Sequence, residues 1–332
     1  MTAENDATGL LYHHTSEEGL LGIVENDNIR ATHVRFLNDY TEFRQAFKEE
    51  YVGALTDAFR EGLPEDLDGT ARRVVEGMLS ERNRSAILGI IEGPTSTYEA
   101  FVCSFTALPQ SGGDPGDRLS QWRGYSHGSQ GFSLGFDKTL LEKQIQFDNA
   151  HAKAGILECI YEDKEKVRFF QDMGRTASAR FMELTRSNKP VPSTFQTAMP
   201  NPTEEYKKGC YYFLQSLSKA TAEFHTKAAQ IKDSGFREEC EWRIVLQGRR
   251  DALSPVVKFR KGQFGQTPFI EIPLSLAKPE ACSLRRIVVG PGPHKVDIKH
   301  SVELLLQKHG IQVRRLDIND GVEVATSLIP FR

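Results

Sequence analysis

The chain has 332 residues, 39% of them apolar and 26% charged, with a formal net charge of -3. That is the balance of an ordinary globular chain, long enough to bury a substantial core in one large domain or two modest ones. A weakly acidic chain is not drawn to coat DNA or an anionic membrane, and no run approaches the roughly 20 apolar residues of a membrane span.

The first nine residues, MTAENDATG, are polar and acidic and lack a basic-then-apolar leader pattern, which predicts a cytoplasmic protein without a membrane partner. Gly9–His13 reads as a strand, and Thr15 or Ser16 can cap the helix of SEEGLLGIVEN. THVRFLND reads as a second strand, and Thr41–Arg60 and Thr70–Ile91 as amphipathic helices on either side of GLPEDLDG. YEAFVCSF and QGFSLGFD read as strands flanking a loop and the helical turn LSQWRGY. Asp137–Gln144 is then helical and GILECIYE a strand. Long helices follow over Glu165–Arg186 and Glu204–Gln230, separated by a segment holding four prolines. CEWRIVL, SPVVKFR, FIEIPL and RRIVV are strands, and a helix over Asp297–His309 leads to a last strand, IQVRRLDI. The order predicts one α+β domain over residues 1–332, with a mixed sheet and a helical insertion at about 160–235. A β-α-β element is expected at about 284–318.

Polar residues sit at four places where the local pattern asks for apolar ones. His13, His14 and Thr15 end the first strand, where an imidazole can hydrogen-bond a ligand hydroxyl. Asn38, Asp39 and Glu42 follow Phe36 and Leu37 with the spacing of a helix cap. Ser104 and Phe105 precede Trp122 and Tyr125, two aromatics three residues apart that can wall a planar ring. In Glu239–Cys240–Glu241–Trp242–Arg243, strand alternation puts Glu239, Glu241 and Arg243 on one face, where Arg243 can hold a carboxylate ionised. The five cysteines are scattered without a CxxC, so neither a disulfide framework nor a metal site is expected. IVVGPGPH joins a strand to a helix, but its two prolines remove amide donors and no GK[ST] follows; it is expected to be a structural turn.

The series LYHHTS, FLNDYTE, CSF, WRGY, ECEWR, IVVGP and SLIPFR resembles a large family of uncharacterised prokaryotic proteins whose pattern runs LYHYTS, NDPxE, SFS, WxxYA, ExEWR and IPxR. The chain departs from it at His14, where Tyr is frequent, and at Tyr40, where Pro is common. The same order is similar, more distantly, to ADP-ribosyltransferases of the histidine–tyrosine–glutamate class. That similarity implies a split β-sheet core with covering helices, and NAD as substrate. It implies that His13 holds a ribose hydroxyl, that the His14 backbone holds the carboxamide, and that Tyr125 with Phe105 stacks on nicotinamide. Glu241 is then the catalytic carboxylate and Glu239 orients the nucleophile, as in an ExE pair. His14 stands where that class has glycine. The implied activity is transfer of ADP-ribose to a protein or nucleic-acid acceptor, as in a toxin or anti-phage effector. Two other readings remain at this level: a non-catalytic nucleotide or nucleic-acid sensor using Arg285, Arg286, Arg314 and Arg315, and a metal-independent nuclease or phosphotransferase.

Overall fold

Ser16 ends a strand and starts a helix. In β1 (Leu10–Ser16) it is the last residue, and its hydroxyl accepts from the Gly19 N–H to cap α1 (Glu17–Asn26). Glu17 and Glu18 lie in the first turn, where carboxylates favour the helix dipole, while Leu20, Ile23 and Val24 face the core. Asp27 then adopts φ 51° and turns the chain directly into β2 (Asn28–His33). The second strand therefore begins before the expected THVRFLND, which turns at Val34–Phe36 into a short 3-10 helix.

The computed structural model describes residues 9–37, 49–83, 85, 87, 98–107, 113–125, 131–145, 152–198, 202–262, 265–314 and 320–330. Asn38, Asp39, Glu42 and Arg315 lie outside them, as does the side chain of Tyr125.

The remaining strands are β3 (Tyr98–Thr106), β4 (Gly131–Asp137), β5 (Ala152–Glu158), β6 (Glu241–Arg249), β7 (Lys258–Gly262), β8 (Gly265–Pro273), β9 (Leu284–Val289) and β10 (Glu323–Thr326). With β1 and β2 they form a ten-stranded mixed sheet in which β9 and β10 are parallel, and the fold class is α+β. The sheet forks at β3. One edge of β3 pairs with β6 from Tyr98 to Thr106, and β6 pairs in turn with β5. The other edge carries two partners: Phe101 and Val102 pair with β2, and Thr106 pairs with Tyr12 of β1. β2 leads on to β8 and β7, and β1 to β4, β9 and β10. Between these pairings, Cys103–Phe105 have no strand on that edge among the described residues.

Two apolar layers sandwich the sheet around β3 and β6. On one side Phe101, Phe105, Ile244 and Leu246 pack with residues of α1, of α5 (Lys138–Gln144, capped by Asp137) and of α10 (Lys295–Lys308). On the other, Ala100, Val102 and Val245 lie under α2 (Glu49–Glu61), α3 (Gly69–Met78), α6 (Asp163–Ser187) and α8 (Glu204–Ala228). Gly174 makes this packing close, since a Cβ there would lie 2.2 Å from the Leu55 carbonyl oxygen. The proline segment between α6 and α8 contains α7 (Ser193–Ala198). α4 (Leu119–Tyr125) leads towards β4, and α9 (Arg250–Leu253) follows β6.

Two expected elements move. The helix read over Thr70–Ile91 is interrupted after Met78, where Leu79 is buried and a 3-10 turn follows at Glu81–Asn83, and residues 88–91 lie outside the described ones. Among the described residues the strand beside β9 is Glu323–Thr326; of the expected IQVRRLDI, Val313 makes an isolated bridge to Val322 and residues 315–318 lie outside the described ones. Among the described residues, no helix is long and apolar enough to cross a membrane.

Candidate functional site

A small cleft, open to solvent, lies where β1 and β3 part. β1 contributes Tyr12, His13 and His14, β3 contributes Ser104, Phe105 and Thr106, and α4 contributes Gln121. Glu239 and Glu241 close it from the approach to β6. Residues far apart in the chain thus meet at the fork of the sheet.

His13 replaces a strand pairing with a side-chain bond. Its Nδ1–H donates to the Ser104 carbonyl at 2.9 Å, across the gap between the strands. A carbonyl only accepts, so this bond fixes the tautomer and leaves Nε2 as the acceptor. Burial lowers the His13 pKa, which keeps the ring neutral, and the ring lies 5.7 Å from that of Phe105.

His14 points to the opposite face of β1. It is buried, its ring edge-on to Trp122 at 5.3 Å, and burial with the nearby His13 and Arg118 brings its pKa down to about 3. The His14 imidazole is therefore packed towards α4. Trp122 backs His14 and is not part of the cleft lining; its Nε1–H donates to Asp117 Oδ1 at 2.8 Å. It also packs over Gly290, where a Cβ would lie 2.9 Å from the Gly131 carbonyl oxygen and 3.2 Å from the Trp122 ring. That contact accounts for the first glycine of IVVGPGPH. Thr15 packs against Gly19 of α1, likewise outside the lining. Tyr125 is the last residue of α4.

The ECEWR block is only partly a strand. Ser234–Glu239 form a 3-10 helix capped by Asp233, and Cys240 takes φ 44° before β6 begins at Glu241. Glu239 is thus off the strand, while Glu241 and Arg243 do share a face. β6 is an interior strand, paired on both edges. Glu241 is 4% exposed; its N–H donates to the Tyr161 hydroxyl at 2.8 Å, and its Oε1 accepts from Arg243 Nε at 2.7 Å. Arg243 also donates from Nη1 to the Ala229 carbonyl at 2.7 Å.

Lys232, buried at 3% exposure, donates from Nζ to both Glu239 and Glu241. Burial alone would raise the Glu241 pKa, but the charges of Arg243 and Lys232 override it and bring it down to about 2. Lys232 escaped the sequence reading because a lysine in the short polar stretch IKDSG resembles any surface lysine. It reaches Glu241 through the long-range bridge Ile160–Ile231 and its own N–H bond to the Ile160 carbonyl at 3.1 Å. Tyr161 and Gln121 escaped for the same reason: only the tertiary fold brings them here.

Arg286 does not present a free cation for phosphate. It bridges Asp114 at 2.8 Å and Glu323 at 3.3 Å, and donates to the Tyr12 hydroxyl. Among the described residues, no group of three or more His, Cys, Asp or Glu side chains could hold a metal ion. The cleft brings together two neutral imidazoles, the Tyr12 and Phe105 rings and two carboxylates, a set that can accept hydrogen bonds from a ligand's hydroxyl groups.

Residues 121–244 match the model of a family described as Protein of unknown function (DUF2971). The match spans Trp122, Glu239, Glu241 and Arg243 and stops short of His13 on β1. No curated protein and no solved structure matches the chain.

Proposed function

We propose that the cleft binds NAD and that the protein transfers ADP-ribose to a macromolecule. The observation that carries this reading is the meeting of His13 and Glu241 in one cleft at the fork of the sheet. NAD supplies a glycosidic bond whose breakage gives the ribose oxocarbenium character. The residues suit its nicotinamide-ribose end. His13 accepts a ribose hydroxyl at Nε2, because Nδ1 is committed to Ser104. Phe105 gives the ring an apolar wall. Glu241, ionised at neutral pH, faces the developing positive charge. Glu239, held by the same lysine, orients the acceptor nucleophile.

One observation favours a second reading, binding of a nucleotide without turnover. Both carboxylate oxygens of Glu241 are engaged by Lys232 and Arg243, as in a structural ion cluster. Nicotinamide release from labelled NAD, compared between wild type and Glu241→Gln, separates the two.

A further inference from the structure

Gln121 brings to the cleft a polar group that the fold itself does not use. The residue is 4% exposed and lines the cleft from α4. Among the described residues, its side-chain amide makes no hydrogen bond at either end. A buried amide is normally bonded. Gln144, a structural amide of the same chain, is bonded at both ends: its Nε2 donates to the Leu274 and Ala281 carbonyls, and its Oε1 accepts from the Ser283 hydroxyl.

The helix fixes where Gln121 stands. Its neighbour Trp122 is anchored to Asp117 at 2.8 Å and packs over Gly290. Leu119, Ser120, Arg123 and Gly124 are exposed, so Gln121 and Trp122 are the described residues of α4 that turn inward. A side chain already held against the cleft loses little freedom when a ligand arrives.

An amide sets a donor beside an acceptor, and its complement is a group with the same pair reversed. A carboxylate offers acceptors only. It would bring an oxygen up to the Gln121 carbonyl oxygen, in a lining that contains Glu239 and Glu241 and no lysine or arginine. A carboxamide satisfies both ends of Gln121 with two hydrogen bonds. NAD carries a carboxamide on its nicotinamide ring, the end of the molecule that Phe105 and His13 suit.

We infer that Gln121 recognises the carboxamide of nicotinamide and makes the cleft select NAD over the analogue with a nicotinic acid ring. The inference rests on the NAD reading of the cleft, though not on turnover. The sequence resemblance gives the carboxamide to the His14 backbone; Gln121 adds a side chain that engages both of its polar atoms.

The test is equilibrium titration of the full chain with NAD, with its nicotinic acid analogue and with its 3-acetylpyridine analogue, which keeps the acceptor and lacks the donor. Wild type is expected to bind NAD more tightly than the acid analogue by about tenfold or more, with the acetyl analogue between them. Gln121→Met, shown to be folded by its thermal melt, should bind all three alike. Nicotinamide mononucleotide and ADP-ribose separate the two ends of NAD, because the adenine edge also sets a donor beside an acceptor. Gln121→Met should weaken the mononucleotide and spare ADP-ribose. Equal binding of NAD and the acid analogue by wild type, discrimination that survives Gln121→Met, or weakening of ADP-ribose in place of the mononucleotide overturns the inference. Nicotinamide release is measured in parallel. If NAD is cleaved but discrimination does not depend on Gln121, the carboxamide assignment falls and the transferase stands. If discrimination depends on Gln121 but NAD is never cleaved, the transferase falls and the carboxamide assignment stands. Failure of wild type to bind NAD at all overturns both.

Discussion

The ammonium of Lys232 is bonded to the carboxylate of Glu241, and both side chains are almost wholly withdrawn from water, at 3% and 6% exposure. Lys232 also holds Glu239, so a single cation sets the geometry of both carboxylates in the cleft.

Removing that cation leaves two carboxylates facing each other with Arg243 alone to balance them. Lys232→Met is expected to destabilise the fold by about 3 kcal/mol, the scale for breaking a buried ion pair. Urea unfolding measures this. Lys232→Arg should recover most of the stability, and under the transferase reading part of the turnover, with kcat affected more than KM. A rescue of stability with no rescue of turnover would make Lys232 purely structural.

Stability should fall in two acid steps. The folded-state pKa of His14 is about 3 against an ordinary 6.5, and that of His13 is also lowered. Between these values the unfolded chain binds protons that the folded chain refuses, so unfolding free energy declines as pH drops below 6.5. The slope is about 1.4 kcal/mol per pH unit for each histidine refusing its proton. Glu241, at about 2 in place of 4.5, adds a second loss: its contribution is intact above 4.5 and disappears as pH falls towards 2. Denaturant titrations from pH 7 to pH 4 check the first step. His14→Phe, which cannot be protonated, should remove the His14 share of that slope and leave the His13 share.

Asp117 ties the end of the chain to the site. Its Oδ1 accepts from Trp122 Nε1 and, at 2.6 Å, from the Ser327 hydroxyl; its Oδ2 accepts from the Leu328 N–H, also at 2.6 Å. Asp117→Ala removes both acceptor oxygens and with them all three bonds. It should expose the segment after Thr326 to protease at rates well above wild type and cost several kcal/mol, given three charge-assisted bonds worth about 1.5–3 kcal/mol each. Limited proteolysis followed by mass spectrometry reads the cut.

Much of this was legible in the sequence where the signal is local. Ser16 with two glutamates after it announces α1, and the alternation of Glu241, Trp242, Arg243 and Ile244 announces an inserted polar face on a buried strand. The failures share a cause. β2 was misplaced because Asp27, in a left-handed conformation, starts the strand at Asn28, and no periodicity marks that turn. Glu239 was put on the strand because Cys240 gives no sign of its φ of 44°. Lys232 could not be found at all, since its partners lie across a long-range bridge that depends on β5, β6 and α8 being in place. Trp122 was read as a ring-stacking wall, a role its spacing allows, whereas its packing on Gly290 and His14 makes it a support.

The central claim is that Glu241 is a catalytic carboxylate and not only half of an ion cluster. Nicotinamide release from NAD, measured for wild type, Glu241→Gln and His13→Ala under conditions where each is shown to be folded, tests it most directly. The account predicts release by wild type, a loss of at least a hundredfold in Glu241→Gln, and a rise in KM in His13→Ala. No release by wild type, or equal release by Glu241→Gln, would contradict it.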